Sequence, residues 1–129
     1  MRQEAIVPDG WVRPGGPPYS PGMRAGGFVF VSGQLPIDPL TREPVGGSVQ
    51  EQTRRALENL RTVLETAGSS LADVVQLRVY LLRRADWDAM NEAYRELVGS
   101  PAPARCAVVV PEMAPGAAVE IEAVALARD

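Results

Sequence analysis

Apolar and polar positions along the chain fall into two periods, and each period marks out its own elements. Residues 28–31, Phe-Val-Phe-Val, form a run that is apolar on both faces, entered through Gly26-Gly27 and left through Ser32-Gly33-Gln34. Such a run predicts a strand buried on both sides. Residues 73–82 and 105–110 carry two more apolar strands, and 117–127 an alternating one. In the last, Val119, Ile121, Ala123 and Ala125 point one way, and Ala118, Glu120, Glu122 and Val124 the other. A period near 3.6 takes over from Ser48. Val49, Thr53, Ala56, Leu57, Leu60, Leu64 and Ala67 make one helical stripe, with Gly68 as its stop. Ser48 and Glu51 have the spacing of a capping box. A second helix is predicted over 87–98, with Asp86 as cap, Gly99 as stop, and Trp87, Met90, Tyr94 and Leu97 on its core face. Residues 3–7 and 19–25 read as short strands, while 8–18, 35–47 and 111–116 read as loops or turns from their Pro and Gly content.

The order is strands, helix, strand, helix, strand, strand. Two helices on one face of a mixed sheet make an α+β domain. The pattern shows no repeat and no boundary, so residues 1–129 are expected to form a single domain. Two helices cover only one face. The strands at 28–31 and 108–110 are apolar on both, and a further copy of the chain is the expected cover.

Composition narrows the chemistry. The chain has 129 residues, 46% hydrophobic, enough for one core. All 13 basic residues are arginine, and histidine and lysine are absent. That excludes Ser-His and Cys-His nucleophile pairs, an ordinary histidine-bearing zinc site and any lysine Schiff base. No metal and no cofactor are expected. Proton transfer is left to Asp, Glu, Tyr, the lone Cys106 or water. A net charge of −3 and the lack of a basic tail argue against nucleic acid as partner. No apolar run reaches membrane-spanning length and no signal peptide is read at the start. A cytoplasmic protein with no membrane partner is the expectation.

Arg105 stands at the head of its strand, two residues after Pro103. A guanidinium held by a rigid backbone is a fork for a carboxylate or phosphate. A structural ion pair or a solvated strand end is the plainer alternative for it. Two other stretches bear on the choice: Tyr19-Ser20 with Ser32-Gly33-Gln34, and Val119-Glu120-Ile121-Glu122.

Taken in order, Gly16-Pro17-Pro18-Tyr19-Ser20, Phe30-Val31-Ser32-Gly33-Gln34, Asn59-Leu60, Ala67-Gly68, Asn91 with Tyr94, Pro103-Ala104-Arg105 and Val119-Glu120-Ile121-Glu122-Ala123 resemble the Rid, or YjgF, family of reactive-intermediate (imine) deaminases. The resemblance implies a chorismate-mutase-like (AroH-type) fold: a mixed β-sheet with two helices on one face, assembled as a homotrimer with sites between subunits. It implies hydrolysis of 2-imino acids and their enamine tautomers, such as 2-iminobutanoate and 2-iminopropanoate, to 2-keto acids and ammonia. Carried over by position, Arg105 binds the substrate carboxylate and Glu120 orients or activates the attacking water. Tyr19 lines the cleft, Ser32 and Gly33 shape its floor, and Asn91 sits near its mouth. Glu122, on the same face as Glu120, is the alternative bearer of the acid-base role.

The sequence also departs from the pattern. Active members often carry cysteine two residues after the arginine, where this chain has Ala107. Cys106 falls on the opposite strand face and reads as a buried structural thiol. The paired Pro17-Pro18 and the short stretch 99–102 also differ from the family. Two other readings stay open: a relative acting on another labile or carboxylate metabolite, and a non-catalytic trimeric ligand-binding protein.

Overall fold

The computed structural model describes residues 2–11 and 15–128. Six strands form one mixed sheet: β1 (Gln3–Ile6), β2 (Gly22–Ala25), β3 (Phe28–Gln34), β4 (Val74–Leu81), β5 (Ala104–Val109) and β6 (Val119–Leu126). Their spatial order is β1-β2-β3-β6-β4-β5. Only β4 and β5 pair in parallel; the other pairings are antiparallel. Helices α1 (Val49–Thr66) and α2 (Trp87–Leu97) carry the chain across the sheet between β3 and β4 and between β4 and β5.

Ser48 caps α1 as its spacing predicts: its hydroxyl accepts from the Glu51 amide at 3.2 Å. Gly68, at φ +79°, closes the helix, with the Ser69 amide reaching back to the Leu64 carbonyl at 2.8 Å. The predicted stripe is buried apart from half-exposed Val49, and Val63 joins it. The α2 stripe is equally recognisable, with Met90 and Tyr94 buried and Trp87 and Leu97 at the margin. Asp86 makes no side-chain cap bond, because the chain enters α2 through a 3-10 turn, Arg84–Asp86, that already satisfies the first amides.

The core lies between the helices and one face of the sheet. Val29 and Val31 of β3, Leu77, Val79 and Leu81 of β4, and Val119, Ile121, Ala123 and Ala125 of β6 meet the helical leucines there. Register puts Phe28 opposite Leu126 and Phe30 opposite Val124 on the other face. No helix covers these residues, and Phe30 and Leu126 each stay 46% exposed.

Two expectations change. The apolar strand carrying Arg105 is not buried on both faces. It is β5, an edge strand, exposed or half-exposed along its whole length. An unbroken apolar run does not distinguish a central strand from an edge strand that another chain covers. Cys106 is likewise exposed rather than buried, because it projects onto the helix-free face beside Arg78.

Two polar side chains buried on α1 pin the 35–47 loop. Asn59 donates to the carbonyls of Leu35 (3.1 Å) and Ile37 (2.9 Å). Gln52 donates to the Gly47 carbonyl at 3.2 Å and accepts from the Ala118 amide at 2.8 Å. At the far end of the sheet, Arg128 grips buried Asp73 through a bond of 2.8 Å and holds its carboxyl down at about 2. Among the described residues, no helix is long and apolar enough to cross a membrane.

Candidate functional site

The sequence-predicted residues gather into two groups. Glu120 anchors the first. It lies on β6, opposite Tyr80 of β4, on the helix-free face. Its carboxylate presses against Gly33 of β3, and a Cβ there would fall inside it. Glycine at 33 gives the carboxylate room for this close approach. The β3–β6 register shifts between Val31 and Gln34, so Ser32-Gly33 is a bulge that turns backbone toward Glu120. The Ser32 hydroxyl donates to the Ser20 carbonyl at 2.6 Å. Ser32 therefore holds the 19–21 segment against the bulge rather than offering a free hydroxyl. Tyr19, on that segment, is 52% exposed.

Glu120 shares a cavity of about 270 Å³ with Gly33, Tyr80, Val110, Met113 and the carboxylates of Glu112 and Glu122. Burial raises its carboxyl pKa above the ordinary glutamate value, and the neighbouring charge of Glu122 raises it further. Glu122 is committed elsewhere. It accepts the Tyr80 hydroxyl and pairs with Arg78 at 3.5 Å, and its bond to Tyr80 pushes the tyrosine pKa up. Of the two carboxylates, Glu120 alone accepts no hydrogen bond from the described residues.

Arg105 anchors the second group. It lies opposite Leu77, on the helix side of the edge strand. Its guanidinium donates to Asn91 Oδ1 at 2.6 Å and lies over the Tyr94 ring at 5.0 Å. Asn91 and Tyr94 are three apart on α2, so one helix face holds the arginine in two ways. Arg105 makes no ion pair among the described residues. Its side chain is exposed, as at a solvated strand end, and is held by Asn91 and Tyr94 rather than by a carboxylate.

The two groups do not meet within one chain. Arg105 and Glu120 project from opposite faces. Two strand spacings and three residues separate them, about 14 Å from standard sheet geometry. Tyr19 and Gly33 also line a second, larger cavity, of about 430 Å³, between the 15–21 segment and the 35–42 stretch. Gly33 belongs to both cavities. Tyr80 and Tyr94 were not legible as site residues. Tyr80 meets Glu122 through strand register, and Tyr94 reads as plain core until β5 is laid against α2. Among the described residues, no cluster of three or more His, Cys, Asp or Glu has a metal-holding arrangement.

The family model described as Endoribonuclease L-PSP matches residues 13–127. The chain belongs to this family, that of the YjgF/RidA proteins. A RutC family protein of Pyrococcus abyssi is 46% identical to it over 125 residues, 97% of this chain and 98% of its own. A 2-iminobutanoate/2-iminopropanoate deaminase of Dermatophagoides farinae is 35% identical over 107 residues, 83% of this chain and 84% of its own. A crystal structure from Thermotoga maritima superposes with a TM-score of 0.89 at 39% identity, covering the whole of both chains. The L-PSP fold, a chorismate-mutase-like mixed sheet backed by two helices, is the fold expected from the sequence.

Proposed function

We propose that this protein is a homotrimeric imine deaminase, hydrolysing 2-imino acids to 2-keto acids and ammonia. The observation that carries the reading is the division of labour between Arg105 and Glu120. Among the described residues, one is a guanidinium with no carboxylate partner, the other a half-buried carboxylate that accepts no hydrogen bond. A small 2-imino acid needs both: a fork for its carboxylate and an acid-base group at its C=N carbon. Because the two face opposite sides of one sheet, they act together only when Arg105 of one copy meets Glu120 of another. The exposed Phe28, Phe30, Val108 and Leu126 supply the apolar surface for that assembly. The deaminase of Dermatophagoides farinae supports the substrate class.

The chemistry balances without a cofactor. Water adds to the carbon of the protonated imine R–C(=NH2+)–COO−, and Glu120 takes the water proton. The proton passes to nitrogen, Glu120 takes the carbinolamine hydroxyl proton as the C–N bond breaks, and the 2-keto acid leaves with ammonia, which takes up that proton as ammonium. A protonated imine is already electrophilic, so placing water and substrate does most of the work. Asn91 and Tyr94 hold Arg105, Ser32 and Gly33 shape the floor beside Glu120, and Tyr19 lines the wall.

The test supplies imines in situ from an amino-acid oxidase and follows the fall in semicarbazide-trapped imine. The expected result is a catalytic loss of imine above the spontaneous rate. A second reading, a relative working on another labile carboxylate metabolite, draws on Ala107, which stands where active members often have cysteine. It is favoured if ligand carboxylates bind but no imine turns over. Light scattering should give three times the chain's 13.8 kDa mass. A stable monomer would end the shared-site reading.

A further inference from the structure

The larger cavity is not needed to hold a carboxylate or to activate water, yet it opens beside both cleft residues. Its walls are mostly apolar, with Trp11, Pro21, Leu35, Ile37 and Pro39 among them. At about 430 Å³ it falls within the range of small-molecule sites. It is preformed. Asn59 and Arg55 both hold the Ile37 carbonyl, and Ile37 bridges to Pro44, so the loop wall is tied to α1. Gly33 is shared with the Glu120 cavity, so the two spaces adjoin at its backbone, with the Glu120 carboxylate against it. Arg42 sits at the rim at φ +66°, its guanidinium 3.4 Å from the Tyr19 hydroxyl and in no ion pair among the described residues.

We infer that this cavity receives the substrate's side chain, so that the protein prefers 2-imino acids with bulky apolar side chains over the three-carbon one. The inference rests on the deaminase reading. A substrate whose C=N carbon lies at Glu120 has the apolar space as its neighbour, across Gly33 and beside Tyr19. A methyl group fills about the volume of one water there, ~30 Å³, and leaves the rest to poorly bound solvent. A benzyl or isobutyl group displaces that solvent and meets Ile37, Leu35 and Trp11. The Arg42 guanidinium is placed to cover an aromatic ring from the rim.

The experiment compares imines generated from alanine, leucine and phenylalanine. For the native protein, kcat/KM for the two larger imines should exceed that for the alanine-derived one by about 10-fold or more, the scale of a filled apolar pocket. Ile37→Trp and, independently, Pro39→Phe fill the space from two sides. Either should cut that ratio by about 10-fold. Reading a ratio within each variant separates pocket filling from a general loss of folded protein. Turnover with no preference for the larger imines, or equal losses on all three substrates in both variants, would overturn the inference while leaving the deaminase reading intact. No turnover of any imine would remove both.

Discussion

Arg105→Ala is expected to lower kcat/KM by about 10³-fold or more while the fold and assembly persist, the loss associated with truncating one partner of a desolvated charge pair. The side chain is exposed on an edge strand and touches the core only where it lies over the Tyr94 ring, so removing it leaves no enclosed cavity. What it removes is a guanidinium already oriented by Asn91 and Tyr94. That orientation makes Arg105→Lys a sharper test than alanine. An ammonium keeps the charge but cannot bond Asn91 and grip two carboxylate oxygens in one plane. It should recover little of the lost rate. Turnover near the native rate in Arg105→Ala, with circular dichroism and light scattering unchanged, would show that the carboxylate is anchored elsewhere.

The second large effect concerns Glu120. Glu120→Gln keeps the size and still hydrogen-bonds a water, but it takes no proton and offsets no charge on the substrate nitrogen. The expected loss is about 10²–10⁴-fold in kcat, with affinity for an unreactive 2-keto acid nearly unchanged. Glu122→Gln should cost far less, because Glu122 already accepts the Tyr80 hydroxyl and faces Arg78. The pH profile carries the same information independently. Burial and Glu122 both raise the Glu120 pKa, Arg105 of a neighbouring copy opposes them, and the ionised base is lost as pH falls through the value this balance sets. Rate should therefore rise with pH across that value, and Glu120→Gln should erase that limb. Glu122→Gln removes the neighbouring charge and should move the limb to lower pH. Equal losses in both variants, or an unmoved limb, would assign the water to backbone groups instead.

Much of this was legible from one chain. The helices showed themselves through period and caps, since Ser48, Gly68 and the leucine stripe are local signals. The alternation in 119–126 correctly separated Val119, Ile121, Ala123 and Ala125 from Glu120 and Glu122. The position of β5 was not legible, because a strand covered by a neighbouring strand and one covered by a neighbouring chain carry the same apolar run. Cys106 was misjudged for the same reason. The partners of the site residues were hidden as well. Arg105 finds Tyr94 only once β5 lies beside α2, and Glu122 finds Tyr80 only through the β4–β6 register. Asn59 stands in the sequence only as a family landmark beside Leu60, and its work of pinning two loop carbonyls needs the loop in place to be seen.

The missing side chain at Gly33 bears on how such a protein changes over time. Glu120 occupies the space a side chain there would need, so a side chain at 33 would push the carboxylate out of its present place. The walls beyond it belong to a different part of the chain, the 35–42 stretch, which hangs from α1 by backbone carbonyls rather than by its own side chains. On the proposed reading, substitutions in that loop can alter what is admitted without disturbing the strand that carries Glu120. Selectivity and reactivity are thereby inherited on separate segments, and one can drift while the other is held.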